Sequence, residues 1–200
     1  MAGGTISASG LFTAGGTPGT FANTAKATSG GISGTATVNV TAGALATITV
    51  TPNPASMSVG ATQQFTAVGR DAGGNVVQFT PTWSVVAEGG SVNDDGLFTA
   101  GTVSGTFTNT IQASKEGVTG FATVTVTPGP LASITVTPNP TTVAVGLSRL
   151  FTAVGKDAGG NTVAITPTWS LVAGGGAING SSGLFTAGST PGTFTNTVTA

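Results

Sequence analysis

The sequence predicts an all-β protein built from tandem β-sandwiches in a rod-like array. Three features predict this fold: a long segment occurs twice, apolar and polar residues alternate along much of the chain, and turn-forming residues separate the alternating runs. Alternation with a period of two is typical of strands that bury one face. No helical periodicity competes with it, so we expect about seven short strands in each sandwich.

The duplicated segment comprises residues 65–84, which recur as residues 151–170 with four substitutions. Each copy predicts two strands joined by the turn Asp-Ala-Gly-Gly-Asn, whose residues readily reverse the chain. Both tryptophans of the protein, Trp83 and Trp169, occupy the same place in this segment. A tryptophan on the third strand, between two sheets, is the usual anchor of an immunoglobulin-like sandwich.

Self-similarity also divides the chain into three parts, called here the first, middle and third repeats. Residues 1–44 match the C-terminal half of a repeat, residues 45–130 form a complete repeat, and residues 131–200 form a repeat that lacks its last strand. Segments 1–27 and 174–200 correspond to the same part of the repeat. The short, proline-rich linker 127–130 favours a stiff connection between repeats.

Apolar residues at matched positions of the repeats predict the hydrophobic core. Eight of the ten phenylalanines occupy such positions, which is the behaviour of residues selected for packing. The predicted core residues are Phe65, Trp83, Leu97, Phe98, Phe107, Val124, Phe151, Trp169, Phe185 and Phe194.

The amino-acid composition excludes several classes of function. Only 6% of the residues are charged and the net charge is −1, which disfavours nucleic acid as a partner because binding it requires a basic patch. No apolar run is long enough for a transmembrane helix, and no signal peptide is visible at the start. The chain has no Cys and no His, which excludes the common nucleophile–base pairs and nearly all zinc sites. We therefore expect no enzymatic activity and no catalytic residues.

The acidic residues offer little metal-binding chemistry. Only the pair Asp71 and Asp157 recurs, and its place in a turn predicts that it caps its own turn amides. Calcium is the alternative, with ligands from Asp71 and Asn75 or from residues 93–95. Neither set has the charge or the spacing of a dedicated calcium loop, so we expect no cofactor.

Threonines line the outer face of two predicted strands, at Thr47, Thr49, Thr123 and Thr125. Threonine is a good strand former, which is a sufficient reason for its presence. The alternative is that these hydroxyls carry O-linked sugars, which would help so weakly charged a surface stay soluble.

Ordered motifs run through the chain: Ile48-x-Val50-x-Pro52, Gly60, Phe65-x-Ala67, Trp83-Ser84, Gly96-Leu-Phe-Thr-Ala100, Gly105-Thr106 and Val124-Thr-Val126. In these motifs the chain resembles the group 2 bacterial immunoglobulin-like domains, over essentially its whole length. The resemblance implies an extracellular, cell-surface spacer, stalk or adhesin segment, and it supplies no catalytic residues.

The incomplete repeats suggest how the protein assembles. The last-strand segment of the first repeat, with Ser33, Ala36, Val38 and Val40, is predicted to fill the groove left open in residues 131–200 of another copy. Repeated head to tail, this gives a filament, so the partners are copies of the chain, or else adjoining repeats of a longer array. The alternative function is an adhesin or a carbohydrate-binding accessory module, which exposed aromatic residues gathered on one loop end would favour.

Overall fold

The structure is a computed structural model that describes residues 3–200, and over that range all regular structure is β. The chain forms two compact units. The first contains the residues up to Met57, with Ala61–Ala100 and Thr106–Thr125. The second contains Ser58–Gly60, Gly101–Gly105 and Val126–Ala200.

The first repeat forms two hairpins. Its strands are β1 (Gly4–Ile6), β2 (Phe12–Ala14), β3 (Gly19–Ser29) and β4 (Ile32–Val40). β1 pairs antiparallel with β2, and β3 pairs antiparallel with β4. Gly30 and Gly31 connect the long hairpin with φ angles of 56° and 83°, a two-residue turn geometry that glycine adopts without strain.

The middle repeat contains ten strand segments. They are β5 (Leu45–Thr51), β6 (Ala55–Ser58), β7 (Thr62–Gln64), β8 (Thr66–Asp71), β9 (Val76–Val77), β10 (Thr82–Val85), β11 (Gly90–Val92), β12 (Leu97–Ala100), β13 (Gly105–Lys115) and β14 (Val118–Thr127). The sequence predicts about seven strands, and short breaks divide them into these ten segments, as where Phe65 separates β7 from β8.

These segments form two layers. One layer is the four-stranded sheet β10-β13-β14-β6. The other combines the sheets β5-β8-β9 and β11-β12-β7, which continue one another because only Phe65 separates β7 from β8. β5 and β6 are consecutive in the chain and lie in different layers, and the two packed sheets form an immunoglobulin-like sandwich.

The core of the middle repeat lies between the two layers. Phe65 and Phe98 pack edge to face, with ring centroids 6.2 Å apart. Trp83 of β10 reaches across to Gly96, where a Cβ atom would lie only 2.8 Å from the indole ring. The buried apolar residues are Ile48, Val50, Ala55, Phe65, Phe98, Ala100, Ile111, Ala113, Ala122, Val124 and Val126. The sandwich expected from the tryptophan position is thus the fold of this repeat.

The third repeat keeps the layer corresponding to β5, β8 and β12. Its strands are β15 (Leu131–Thr137), β16 (Ser148–Leu150), β17 (Thr152–Asp157), β18 (Thr162–Val163), β19 (Ser170–Leu171), β20 (Gly176–Ile178), β21 (Leu184–Ala187) and β22 (Val198–Thr199). The sheets β15-β17-β18 and β16-β21-β20 repeat the middle arrangement. The opposite layer is reduced to the pair β19-β22, and residues 141–147, which correspond to the region of β6, form no strand.

Two predicted core residues lie at the surface. Leu97 is 38% exposed because it alternates with the fully buried Phe98 and so points away from the core. Phe194 is 43% exposed because residues 191–197 form no strand that could seat its ring. Of the other predicted core residues, Trp83 and Phe107 are half-buried. Those that are buried are Phe65, Phe98, Val124, Phe151, Trp169 and Phe185.

We expect Gly120→Ala to destabilise the protein by about 1–3 kcal/mol, the usual cost of overpacking. A Cβ atom at Gly120 would lie 2.3 Å from the carbonyl oxygen of Ile48 on the facing strand. Gly34→Ala is the matched control, because Gly34 occupies the same repeat position in β4 and a Cβ there meets nothing within 4 Å. Urea unfolding followed by circular dichroism measures both. Equal midpoints for the two variants would contradict the packing described here.

Candidate assembly surfaces

The hairpin β3–β4 presents an apolar face that is only partly covered. Ala36 and Val38 of β4 lie opposite Ala25 and Phe21 of β3. Ala36 is exposed, and Val38 and Val40 are only half-buried. The same positions in β14, at Ala122, Val124 and Val126, are at most 1% exposed. Ala36, Val38 and Val40 are therefore more accessible to solvent than their counterparts, which form a core.

Ser33 does not share the donor face. It is an odd-numbered residue of β4, so the alternation of the strand directs it away from Ala36, Val38 and Val40. Its hydroxyl group lies 3.0 Å from that of Thr28 on β3. The apolar face is thus formed by Ala36, Val38 and Val40, with Gly34 in place of a side chain at its end.

The third repeat presents a partly open core. Phe151, Trp169 and Phe185 form its buried cluster, and the two phenylalanine rings pack edge to face as in the middle repeat. Ile134 of β15 is 39% exposed, whereas the matched Ile48 of β5 is 7% exposed. The difference follows from the reduced opposite layer, in which no described strand occupies the place of β14.

The segment after β21 is irregular. It borders an open cavity of about 590 Å³ lined by glycine, alanine, serine and threonine residues and by Phe194. The hydroxyl group of Thr197 is buried without a hydrogen-bond partner in the described part of the chain. The matched Thr110 donates to the carbonyl oxygens of Ala87 and Glu88. Residues 191–197 thus lack the regular bonding of their counterparts in β13.

The two acidic turns are built in the same way. In the first, Oδ1 of Asp71 accepts the amides of Gly73 and Asn75 at 2.9 and 2.8 Å, as predicted for a turn cap. Oδ2 accepts the amide of Gly43 at 2.7 Å and the side-chain amide of Asn75 at 3.0 Å. The side chain of Asn75, followed by the Gly43 amide, lowers the pKa of Asp71 from 3.8 to about 2.

The calcium alternative finds no support in the same contacts. N–H donors surround the carboxylate of Asp71, and Oδ1 of Asn93 accepts the amides of Asp95 and Leu97 at 3.1 and 2.8 Å. Both groups are thereby engaged in closing their own turns. Within residues 3–200 there is no group of three or more His, Cys, Asp or Glu residues arranged to hold a metal ion.

The threonines considered for O-linked sugars differ in accessibility. Thr47 and Thr49 are exposed on β5. Thr123 and Thr125 are half-buried on β14, where the hydroxyl oxygen of Thr123 accepts the amide of Asn109. Modification at the two β14 positions would compete with existing contacts.

The described residues include no helix long and apolar enough to cross a membrane.

We expect the stabilising effect of Asp71 to persist well into acid. Its pKa in the folded protein is lowered from 3.8 to about 2, so the carboxylate stabilises the fold above pH 3.8 and loses this effect as the pH falls towards 2. Asp71→Asn should therefore lower the urea midpoint at neutral pH, and the gap to the parent protein should narrow only in that acidic window. Glu116→Gln, in the turn between β13 and β14, is the charge-matched control. A gap of constant size down to pH 2 would contradict this assignment.

Comparison with known proteins gives structural similarities only. No family model and no curated protein matches the sequence. Among solved structures, the Escherichia coli adhesin FdeC is 25% identical with a TM-score of 0.46, and the match covers 74% of this chain and 57% of that one. Protocadherin gammaB7 EC3-6 is 17% identical with a TM-score of 0.47, covering 78% and 46%. The S-layer protein SbsC is 22% identical with a TM-score of 0.37, covering 92% and 26%.

The chain therefore spans little more than half of the adhesin and less than half of the other two proteins. The resemblance to the group 2 bacterial domains rests on the sequence motifs, and the immunoglobulin-like fold rests on the two-layer topology of the middle repeat.

Proposed function

We propose that this chain is a non-enzymatic, extracellular structural protein of a cell-surface fibre or stalk, and that strands donated between copies complete its immunoglobulin-like repeats. The observation that carries the proposal is one contrast in burial. On the apolar face of β4, Ala36 is exposed and Val38 and Val40 are only half-buried, while the matching face of β14 is fully buried.

The donor and the groove have matching residues. The inward positions of β14 are Gly120, Ala122, Val124 and Val126, and β4 has the same residue types at Gly34, Ala36, Val38 and Val40. β4 can therefore take the place of β14 in any repeat whose facing strands carry the same residues as the middle repeat.

The residues that face this strand are the same in the middle and third repeats. Ile48 and Val50 cover β14 in the middle repeat, and Ile134 and Val136 hold the same places in the third repeat. Fully burying a valine or isoleucine side chain is worth about 1.5–3 kcal/mol, so covering these faces supplies a substantial driving force. Strand addition also gives the exposed main-chain groups of a sheet edge their hydrogen-bond partners.

Donor and groove lie in different compact units of the chain. A contact between two different surfaces of identical subunits repeats head to tail and gives a filament unless its rotation closes a ring. Because β3 corresponds to residues 192–200, entry of the whole hairpin displaces the irregular segment 191–197 and the short strand β22.

The adhesin or carbohydrate-binding alternative has less support. It requires exposed aromatic residues gathered at one place. Among the described residues the exposed aromatic side chains are Phe121 and Phe194, which lie in different compact units. We therefore retain assembly as the single proposed function.

Electron microscopy of the purified chain over a concentration series tests the proposal. We expect filaments above a threshold concentration and monomers below it. Monomers at all concentrations, with a protease-resistant core near residues 45–130 and labile flanking segments, would rule out assembly between copies.

A single glycine provides a sharper test. Gly34→Ala should leave the free chain unchanged, since a Cβ at Gly34 meets nothing within 4 Å. In the completed repeat that Cβ would face the carbonyl of Ile134, as a Cβ at Gly120 would face Ile48 at 2.3 Å. We therefore expect Gly34→Ala to raise the threshold concentration for filaments. Asn39→Ala, on the opposite face of β4, is the control. Normal assembly of the Gly34→Ala variant would refute this docking geometry.

A further inference from the structure

The turn Asp-Ala-Gly-Gly-Asn does more than reverse the chain. In both of its copies, residues 71–75 and 157–161, its side chains bind main-chain groups of the preceding repeat. Each set of contacts lies inside one compact unit. The turn is thus a recurrent contact element as well as a recurrent sequence.

The first set joins residues 71–75 to the first repeat. The amide of Gly43, in the linker, donates to Oδ2 of Asp71 at 2.7 Å. The side-chain amide of Asn75 donates to the carbonyl oxygen of Gly16 at 3.0 Å. One bond therefore holds the linker, and the other holds the loop between β2 and β3.

The second set joins residues 157–161 to the middle repeat in the same way. The amide of Gly129 donates to Oδ2 of Asp157 at 2.8 Å. The side-chain amide of Asn161 donates to the carbonyl oxygen of Thr102 at 2.8 Å, and its Oδ1 accepts the amide of Ser104 at 2.9 Å. Two independent places in the chain thus show one binding geometry.

The two carboxylate oxygens of Asp157 have separate partners. Oδ1 accepts the amides of Gly159 and Asn161 at 2.9 and 2.8 Å and so closes the turn. Oδ2 accepts the linker amide and the side chain of Asn161. Closing the turn and holding the linker can therefore be disturbed separately.

Glycines allow the close approach. A Cβ atom at Gly129 would lie 3.1 Å from Cγ2 of Val59 and 3.5 Å from Oδ2 of Asp157. A Cβ atom at Gly159 would lie 3.2 Å from the carbonyl oxygen of Thr102. On the turn itself, the ammonium group of Lys156 donates to the carbonyl oxygen of Gly160 at 2.9 Å, as Arg70 does to Gly74 at 2.7 Å. The linker and the turn therefore both carry glycines where the two segments approach each other most closely.

We infer that the Asp-Ala-Gly-Gly-Asn turn is a docking element that binds the linker and a loop of the preceding repeat and thereby restricts motion between successive repeats. The groups it recognises are main-chain amides and carbonyls. Gly16 and Thr102 serve equally as the bound carbonyl, so recognition does not depend on the side chain at that position.

Two substitutions separate docking from turn formation. Asp157→Asn keeps Oδ1 as an acceptor for the turn amides but places an NH₂ group against the linker amide, so a bond becomes a contact between two donors. Asn161→Ala removes the bonds to Thr102 and Ser104, together with the side-chain bond to Oδ2 of Asp157, and retains the main-chain amide of Asn161 that closes the turn on Oδ1. Glu116→Gln is the control that removes a charge from a different turn.

Distances between spin labels test the inference. The chain has no native Cys, so labels can be placed at Thr49→Cys and Thr135→Cys, matched exposed positions on β5 and β15. Double electron–electron resonance should give a narrow distribution for the parent and the Glu116→Gln variant, and a broader one for Asp157→Asn and Asn161→Ala. Each variant must first show parental Trp fluorescence. If Asn161→Ala is folded and its distribution is as narrow as that of the parent, the inference is wrong.

Discussion

In the middle repeat β14 lies across the core, and its small and β-branched residues fill the space in front of β5. The approach is so close that Gly120 cannot acquire a Cβ atom without displacing the carbonyl of Ile48. The third repeat, whose residues 131–200 contain no counterpart of β14, differs from the middle repeat in three places. The counterpart of β6 is irregular, the segment matching β13 contains only the short strand β22, and Ile134 is more exposed than the matched Ile48. In the middle repeat the inward face of β14, at Ala122, Val124 and Val126, is thus a fully buried part of the core.

The chain uses its few charges for main-chain contacts. With only 6% charged residues, it has little capacity for ion-pair networks at its surface. Asp71 and Asp157 instead accept several N–H groups each, which favours the ionised carboxylate and lowers the pKa of both. A carboxylate bonded in this way orders a turn and a linker together. The linker between repeats can therefore be ordered without ion pairs, even though the chain carries few charges.

The periodicity of the sequence was sufficient to predict the strands, the placement of Trp83 between layers and most of the buried phenylalanines. It was insufficient for Phe194, because residues 191–197 form no strand that could seat that ring. Leu97 was misplaced for a local reason: two adjacent strand residues cannot both face the core, and Phe98 is the one that does. The contact of Asp157 with Gly129 was also missed. A signal for it existed, since Gly43 and Gly129 recur at the same spacing from Asp71 and Asp157.

Recognition of main-chain groups at the joint has a genetic consequence. Any repeat that ends in a linker glycine and carries the loop after β12 offers the same amide and carbonyl to its successor, whatever its side chains. Adding or removing a whole repeat would therefore leave the contacts at the remaining joints unchanged. The length of such an array can therefore change within a lineage without compensating substitutions elsewhere.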